Sequence, residues 1–166
     1  MTQIATAAIV ADCIAATPWK NGGGLARDLL FWPTVEGWRV RVSLADITRD
    51  GPFSPYPGVD RWFAVVEGPG VELQLALGAH LQRLGDAPVH FDGVEAPGCR
   101  LLDGPTRDLN LMLQGGARGV LRHGPRFDED WPVRGRYDPA THTLHWGLPP
   151  GPLQGPADSL WLGVAP

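Results

Sequence analysis

Hydrophobic and polar residues alternate along several short stretches of this chain, which is the pattern of β-strands with one buried face. Residues 38–44 show the alternation most clearly. One face of that strand carries the apolar set Trp38, Val40, Val42 and Leu44. The other face carries the polar set Arg39, Arg41 and Ser43. The pattern predicts a strand whose polar face looks either into water or into a polar interior.

A pair of strands is predicted on either side of a glycine-rich turn. Residues 61–67 form a nearly continuous apolar run, Gly68-Pro69-Gly70 follows, and residues 71–77 alternate cleanly. Two such stretches around glycines favour a β-hairpin. Further strands are predicted around residues 100–102, 109–113, 119–122, 143–146 and 160–164. Many short strands separated by turns indicate an all-β sandwich or barrel.

Helical signals are weak by comparison. The best candidate is a turn or two near Asp103–Asp108, and Pro105 limits its length. Residues 125–135 are expected to form a loop that three side chains hold against the body, namely Phe127, Trp131 and Pro132. A weak division of the chain falls near Gly115-Gly116.

Length and composition allow one domain, or two small halves packed as one. The chain has 166 residues, of which 43% are hydrophobic, enough for a sizeable core. The formal net charge of −4 and the lack of a basic run argue against a nucleic-acid surface. The sequence shows neither a signal peptide nor an apolar run near the roughly 20 residues of a membrane helix. We therefore expect a soluble cytoplasmic protein that binds neither nucleic acid nor a membrane.

Metal and nucleophilic chemistry find little support in the residue types. Cys13 and Cys99 lie too far apart for a metal motif or a disulfide framework, and both are expected to be reduced and buried. His142 and His145 are three residues apart, which in a strand places them on opposite faces. No Gly-x-Ser-x-Gly nucleophile elbow is present. We expect no metal and no cofactor.

Three consecutive glycines, Gly22, Gly23 and Gly24, follow Lys20 and Asn21. Such a run costs backbone entropy unless the chain turns sharply or approaches something closely. The order of residues is not that of a phosphate loop, because the lysine precedes the glycines. The run either makes a tight turn between strands or presents backbone N–H groups as a concave anion nest, with the cations Lys20 and Arg27 nearby.

The polar strand faces give a second indication of a binding site. An arginine such as Arg41 inside a barrel needs a carboxylate partner, because a buried unpaired guanidinium is costly. A ligand carboxylate could be that partner. Asp108 and Asn110 also share one face of a predicted strand, opposite three leucines at positions 109, 111 and 113. Each of the two strands is therefore expected to have one polar face in contact with water.

Four blocks of sequence, taken in order, resemble the HutD/Ves family. Residues 17–24 read Thr-Pro-Trp-Lys-Asn-Gly-Gly-Gly, and residues 41–45 read Arg-Val-Ser-Leu-Ala. Residues 51–61 read Gly-Pro-Phe-Ser-Pro-Tyr-Pro-Gly-Val-Asp-Arg, and residues 108–112 read Asp-Leu-Asn-Leu-Met. The departures from the family pattern are apolar or aromatic exchanges at Val40, Tyr56 and Leu109. Similarity is weakest after Gly116.

The resemblance implies an RmlC-like cupin fold built from two packed β-barrel halves, a bicupin. Residues 1–166 would then form a single compact domain, with an N-terminal barrel over about 10–115. The C-terminal half, about 116–166, would share strands with it. A metal cupin carries its His-x-His and Glu ligands where this chain has residues 54–68, which contain no imidazole. The implied barrel is metal-free.

The resemblance also implies a role near histidine catabolism. Family members are thought to bind a small anionic pathway intermediate, such as urocanate or N-formiminoglutamate, and to limit flux without catalysis. The charged set expected to neutralise the carboxylate is Lys20, Arg41 and Arg61. The set expected to donate or accept hydrogen bonds is Asn21, Ser43 and Asn110. Backbone N–H groups would come from Gly22, Gly23 and Gly24.

Two other functions stay open from the sequence. A metal-free cupin enzyme, an isomerase or hydrolase acting on a small carboxylate, would use His90 or Asp108 as its base. A stress-related cupin would use its barrel for structure alone. Because cupins often pair, a homodimer is also expected.

Overall fold

The computed structural model describes residues 5–166 as a nearly all-β molecule. Residues 1–4, with which the predicted single domain begins, lie outside the described residues. Two 3-10 helices, Ala11–Cys13 and Gly93–Glu95, interrupt the strands. The strands are β1 (Ala7–Val10), β2 (Thr17–Pro18), β3 (Gly24–Trp32), β4 (Val40–Ile47), β5 (Gly51–Pro52), β6 (Asp60–Glu67), β7 (Val71–Leu75), β8 (Gly78–Gln82), β9 (Val89–Asp92), β10 (Gly98–Leu101), β11 (Thr106–Leu113), β12 (Arg118–His123), β13 (Arg126–Phe127), β14 (Val133–Asp138), β15 (Thr143–Trp146), β16 (Leu153–Gln154) and β17 (Leu160–Ala165).

The strands form stacked antiparallel sheets around a central one. The central sheet has six strands in the order β2-β3-β4-β11-β6-β9. A four-stranded sheet, β5-β10-β7-β8, packs on one of its faces. A five-stranded sheet, β1-β15-β14-β17-β12, packs on the other. Strand β1 therefore joins the C-terminal strands, and the small pair β13-β16 completes that half.

Alternate side chains of the central strands pack into two different hydrophobic cores, one on each face of the central sheet. The apolar face of β4 and β11 packs toward the five-stranded sheet, and each of its side chains is at most 1% exposed: Val40, Val42, Leu44, Leu109, Leu111 and Leu113. On the opposite face, Ile47 and Phe63 pack against Leu73 of the four-stranded sheet. The predicted division of residues 38–44 and 108–113 into one apolar and one polar face is confirmed.

The strand register gathers the polar residues of the central sheet into adjacent rows. Met112 of β11 lies between Arg41 of β4 and Arg61 of β6. In the next row Asn110 lies beside Ser43. Because side chains at i and i+2 share a face, these rows make one polar surface on the side away from the five-stranded sheet.

The predicted hairpin between residues 61–67 and 71–77 is wrong. Strand β6 pairs with β11 and β9, whereas β7 pairs with β10 and β8 in a different sheet. Gly68 and Gly70 have φ values of 92° and 108°. A Cβ at Gly70 would lie 2.4 Å from the carbonyl oxygen of Gln82. The glycines therefore carry the chain between sheets at close backbone contact and do not close a two-stranded turn.

The helical turn predicted near Asp103–Asp108 is also wrong. Extended backbone begins at Thr106, the first residue of β11. The Thr106 side chain accepts a hydrogen bond from the Gly70 N–H at 3.1 Å. This contact ties the start of β11 to the crossover between the two sheets. The other predicted strands, from residues 100–102 to 160–164, are confirmed with small shifts at their ends.

Residues 125–135 are more ordered than a loop. They contain β13 and the first residues of β14. The predicted anchors do pack against the body: Phe127 stacks on Trp161 with ring centroids 5.9 Å apart, and Trp131 lies directly over Gly163. Of the cysteines, Cys99 is buried as expected, but Cys13 is exposed because the 3-10 helix that ends with it lies at the surface.

Candidate functional site

A cavity of about 430 Å³ opens on the polar face of the central sheet. Its floor is formed by side chains of β4, β6 and β11: Arg41, Ser43, Arg61, Asp108, Asn110 and Met112. Its rim comes from two loops, of which one precedes β3 and the other follows β5. The rim includes the side chains of Trp19, Lys20, Asn21, Phe53 and Tyr56. The sequence-predicted site residues outside the glycine run thus lie around one cavity.

The glycine run makes a turn beside the cavity and does not line it. The Gly22 N–H donates to the Trp19 carbonyl at 3.0 Å, and the Gly23 N–H donates to Asn21 Oδ1 at 2.9 Å. A Cβ at Gly24 would lie 2.4 Å from the carbonyl oxygen of Asp46. Two of the N–H groups expected to form an anion nest are therefore already paired. The run holds the Trp19–Asn21 segment at the rim and presses β3 against β4.

Arg41 has a protein counter-ion. Its Nε donates to Asp28 Oδ1 at 2.7 Å, and its guanidinium lies 5.4 Å from the centre of the Phe31 ring. Burial alone would lower the pKa of Arg41, but the hydrogen bond and charge of Asp28 outweigh it and the pKa is raised. The carboxylate partner that an interior arginine needs is thus Asp28, which the sequence analysis did not identify.

Among the residues that the structure describes, Arg61 differs from Arg41 in having no carboxylate at hydrogen-bond distance. It is 6% exposed and its Nη2 donates to Asn110 Oδ1 at 3.0 Å. The guanidinium lies between three aromatic rings, with centroids at 5.1 to 5.4 Å: Phe53, Tyr56 and Phe91. Its Nε and Nη1 have no hydrogen-bond partner among residues 5–166. Burial lowers the pKa of Arg61 to about 10, although Asp108 opposes the shift.

Asp108 lies beyond Asn110 and is 1% exposed. Its Oδ1 accepts from Asn110 Nδ2 at 2.5 Å, while its Oδ2 has no partner within the described part of the chain. Burial raises the pKa of Asp108 to about 8, against the opposing effects of Arg61 and Asn110. Asn110 therefore links a buried cation to a buried carboxyl group that holds its proton near neutral pH.

Other polar residues considered from the sequence lie away from the cavity. Arg39 donates to the Gly115 carbonyl at 2.8 Å, and Arg27 pairs with Asp46 at 3.0 Å. His90 stacks on Trp62 with ring centroids 4.6 Å apart and lies 3.4 Å from Asp60. Of the two candidate bases, His90 and Asp108, the structure places Asp108 at the cavity.

Aromatic rim residues were missed as site residues, although they stand within the sequence blocks that carry the resemblance. Trp19 meets Phe53 edge to face at 5.9 Å, and Tyr56 accepts a hydrogen bond from Arg41 Nη1 at 3.4 Å. The cavity thus combines an unpaired guanidinium, an amide, a neutral carboxyl group and flat apolar surfaces. Such a combination suits a small anion with a planar or apolar part.

Residues 5–166 contain no cluster of three or more His, Cys, Asp or Glu residues placed to hold a metal ion. No helix in the same range is long and apolar enough to span a membrane.

Several curated proteins are similar to part of this chain. The uncharacterized 21.2 kDa protein in the hutC 3′ region of Pseudomonas putida is 34% identical over 97 residues, which cover 57% of this chain and 51% of that protein. Protein Ves from Citrobacter koseri is 34% identical over 99 residues, which cover 58% of this chain and 51% of that protein. The chain spans about half the length of these curated relatives.

Solved structures match nearly the whole chain. A conserved protein of unknown function from Pseudomonas aeruginosa has a TM-score of 0.81 at 22% identity, covering 97% of this chain and 99% of that one. HutD from Pseudomonas fluorescens has a TM-score of 0.73 at 27% identity, covering 96% and 93%. The predicted all-β fold class and the predicted family resemblance are both confirmed.

The family model described as HutD matches residues 11–134, which include the cavity-lining strands and both rim loops. The chain therefore belongs to the HutD family.

Proposed function

We propose that this protein binds a small carboxylate in the cavity and acts without catalysing a reaction. One observation carries the proposal: Arg61 is 6% exposed, lines the cavity and has no carboxylate partner within residues 5–166. A buried charge without a counter-charge is unfavourable. An anion that enters the cavity supplies the missing charge, and Lys20 at the rim adds long-range attraction.

The chemistry of the cavity and the family together suggest which carboxylate is bound. A cavity of about 430 Å³ accommodates a small metabolite, and the rings of Trp19 and Tyr56 offer surface to a planar group. The Pseudomonas putida relative is named for the hutC region, and a solved relative is HutD. We therefore propose urocanate or N-formiminoglutamate as the ligand, and limitation of flux through histidine utilisation as the role.

Calorimetric titration with these two compounds tests the proposal. The wild type is expected to bind at least one of them, and Arg61→Gln is expected to weaken that binding by at least about thirtyfold, the usual cost of removing a buried charge partner. Arg83→Gln, which removes an exposed arginine outside the cavity, is the matched control and is expected to bind normally. A wild type that binds neither compound contradicts the proposal.

A second candidate function rests on Asp108, a titratable carboxyl group at the cavity floor. A metal-free isomerase or hydrolase would use it as general base or acid. NMR spectra of urocanate and of N-formiminoglutamate, recorded over hours with the protein, distinguish the two functions. Unchanged spectra support binding alone, and new signals that Asp108→Asn abolishes support the enzyme.

A further inference from the structure

A chain of hydrogen bonds connects the two buried charged groups of the cavity. Arg61 Nη2 donates to Asn110 Oδ1 at 3.0 Å, and Asn110 Nδ2 donates to Asp108 Oδ1 at 2.5 Å. The oxygen and the nitrogen of the Asn110 side-chain amide are thus both engaged in hydrogen bonds, which fix its orientation. What remains unpartnered among residues 5–166 is Asp108 Oδ2 at one end and Arg61 Nε and Nη1 at the other.

We infer that the carboxylate is bound together with a proton on Asp108, so that the protein takes up its anion and a proton as a linked pair. The inference rests on the proposed function of the cavity as a carboxylate site. It adds a regulation of that site: rising pH releases the anion.

Charge balance at the buried Arg61 guanidinium favours this linkage. Without a bound anion, and at a pH above the pKa of Asp108, the ionised Asp108 carboxylate acts as a counter-charge to Arg61, to which Asn110 connects it. A bound anion takes over that role. Two negative charges would then share one buried guanidinium, and repulsion between like charges favours protonation of one of them. A free carboxylate in water titrates well below neutral pH, so the proton goes to Asp108.

Arg61 is the cation that acts on Asp108 among the residues that the structure describes. The charged or titratable groups that act on it from the neighbouring strands are Arg61 of β6, Asp46 of β4 and Cys99 of β10. Asp46 also carries a negative charge, which its ion pairs with Arg27 and Arg107 largely compensate. Burial raises the pKa of the Cys99 thiol to about 12, so it stays neutral. The proton is expected on Oδ2, because Oδ1 already accepts from Asn110.

The pH range in which anion binding is coupled to proton uptake follows from the protonation state of Asp108. Its pKa of about 8 without ligand means that the proton is mostly present at neutral pH and mostly lost near pH 9. A bound anion raises that pKa further. Affinity is therefore constant below about pH 7 and falls at higher pH, since binding must first restore the proton.

Formate is the probe for the test, because its single carboxylate stays ionised over the whole range. An NMR titration of the wild type is expected to give about tenfold weaker binding at about pH 9 than at about pH 7. In a lightly buffered solution near pH 9, nearly one proton should be taken up for each formate bound.

Two variants separate this linkage from general charge effects. Asp108→Asn keeps a neutral, hydrogen-bonding side chain of the same shape, and its affinity for formate is expected to be the same at both pH values. Asp103→Asn, which removes an exposed carboxylate, should keep the wild-type pH dependence. Thermal unfolding of each variant checks that it is folded.

The outcomes distinguish the linkage from the site itself. Binding of formate with equal affinity at both pH values, or without proton uptake, overturns the linkage and leaves the carboxylate site standing. Loss of binding at high pH that persists in Asp108→Asn assigns the effect to another group and also overturns it. No binding of formate, urocanate or N-formiminoglutamate at either pH overturns the carboxylate site.

Discussion

Arg41 Nε donates to Asp28 Oδ1 at 2.7 Å, and this ion pair distinguishes the two arginines on the cavity floor. Arg41 is compensated by a side chain of the neighbouring strand β3. Arg61 has a neutral amide, Asn110, as its hydrogen-bond partner. A cavity that held two paired arginines would have little attraction for an anion. The position of the bound charge is therefore set by Arg61, the arginine of the two that has no carboxylate partner in the described part of the chain.

Removing Asp28 is expected to strengthen anion binding. In Asp28→Asn the Arg41 guanidinium loses its counter-ion and becomes a second cation at the cavity, so affinity for urocanate or N-formiminoglutamate should rise severalfold. Stability should fall by about 1–2 kcal/mol, because Arg41 is partly buried. Calorimetry and chemical unfolding measure the two effects. Asp158→Asn, at an exposed position, is the control, and weaker binding by Asp28→Asn would show that Asp28 contacts the ligand.

The state of Asp108 makes stability depend on pH between about 4 and 8. Its pKa is raised from 3.8 to about 8 on folding, so the unfolded chain loses this proton at lower pH than the folded protein does. The free energy of unfolding is thus greatest below the unfolded value and declines as pH rises toward 8, by about 6 kcal/mol at most, since each unit of pKa corresponds to about 1.4 kcal/mol. Asp108→Asn is expected to flatten the decline. Urea unfolding across this range measures both proteins, and parallel curves would contradict the raised pKa.

Asp46 is expected to contribute more to stability than the other acidic partner of Arg107. It accepts from Arg107 Nε at 2.6 Å and from Arg27 at 3.0 Å, whereas Glu67 pairs with Arg107 at 3.4 Å and is 64% exposed. Asp46→Asn should cost about 1–2 kcal/mol and Glu67→Gln less than about 0.5 kcal/mol. Chemical unfolding measures the difference. Equal costs would mean that solvent screens both pairs alike.

Close backbone contact at Gly70 predicts a large effect of a single methyl group. In Gly70→Ala the added Cβ meets the Gln82 carbonyl at 2.4 Å, with φ at 108°. We expect a loss of about 3 kcal/mol or more. Gly104→Ala is the matched control, since Gly104 has a φ of 118° but no atom within 4 Å of the added Cβ. It should cost about 1 kcal/mol. Similar losses of stability in the two variants would show that the close contact with the Gln82 carbonyl is not the cause.

Regular alternation allowed much of the fold to be predicted from the sequence. Strands β4 and β11 alternate without interruption, and their polar faces were correctly expected to differ from their apolar ones. Strand β3 was missed because its register shifts between Asp28 and Leu30, which breaks the period of two. That omission also concealed a site residue. Asp28 pairs in register with Ser43, so the counter-ion of Arg41 could be found only once β3 was known.

Pairings between distant segments could not be predicted in the same way. The glycines at positions 68 and 70 are compatible with a hairpin in sequence, and only the contacts with Gln82 and Thr106 show that the chain changes sheets there. The glycine run at 22–24 poses the same question. Its N–H groups were free to pair with the turn or with a ligand, and the geometry of Trp19 and Asn21 pairs two of them with the turn.

A crystal structure of the protein with bound N-formiminoglutamate or urocanate tests the central claim most directly. Electron density for the ligand carboxylate is expected inside the cavity, within hydrogen-bond distance of the Arg61 guanidinium. Density for the ligand elsewhere, for example at the turn formed by Gly22 and Gly23, with the cavity free of it, would contradict the account.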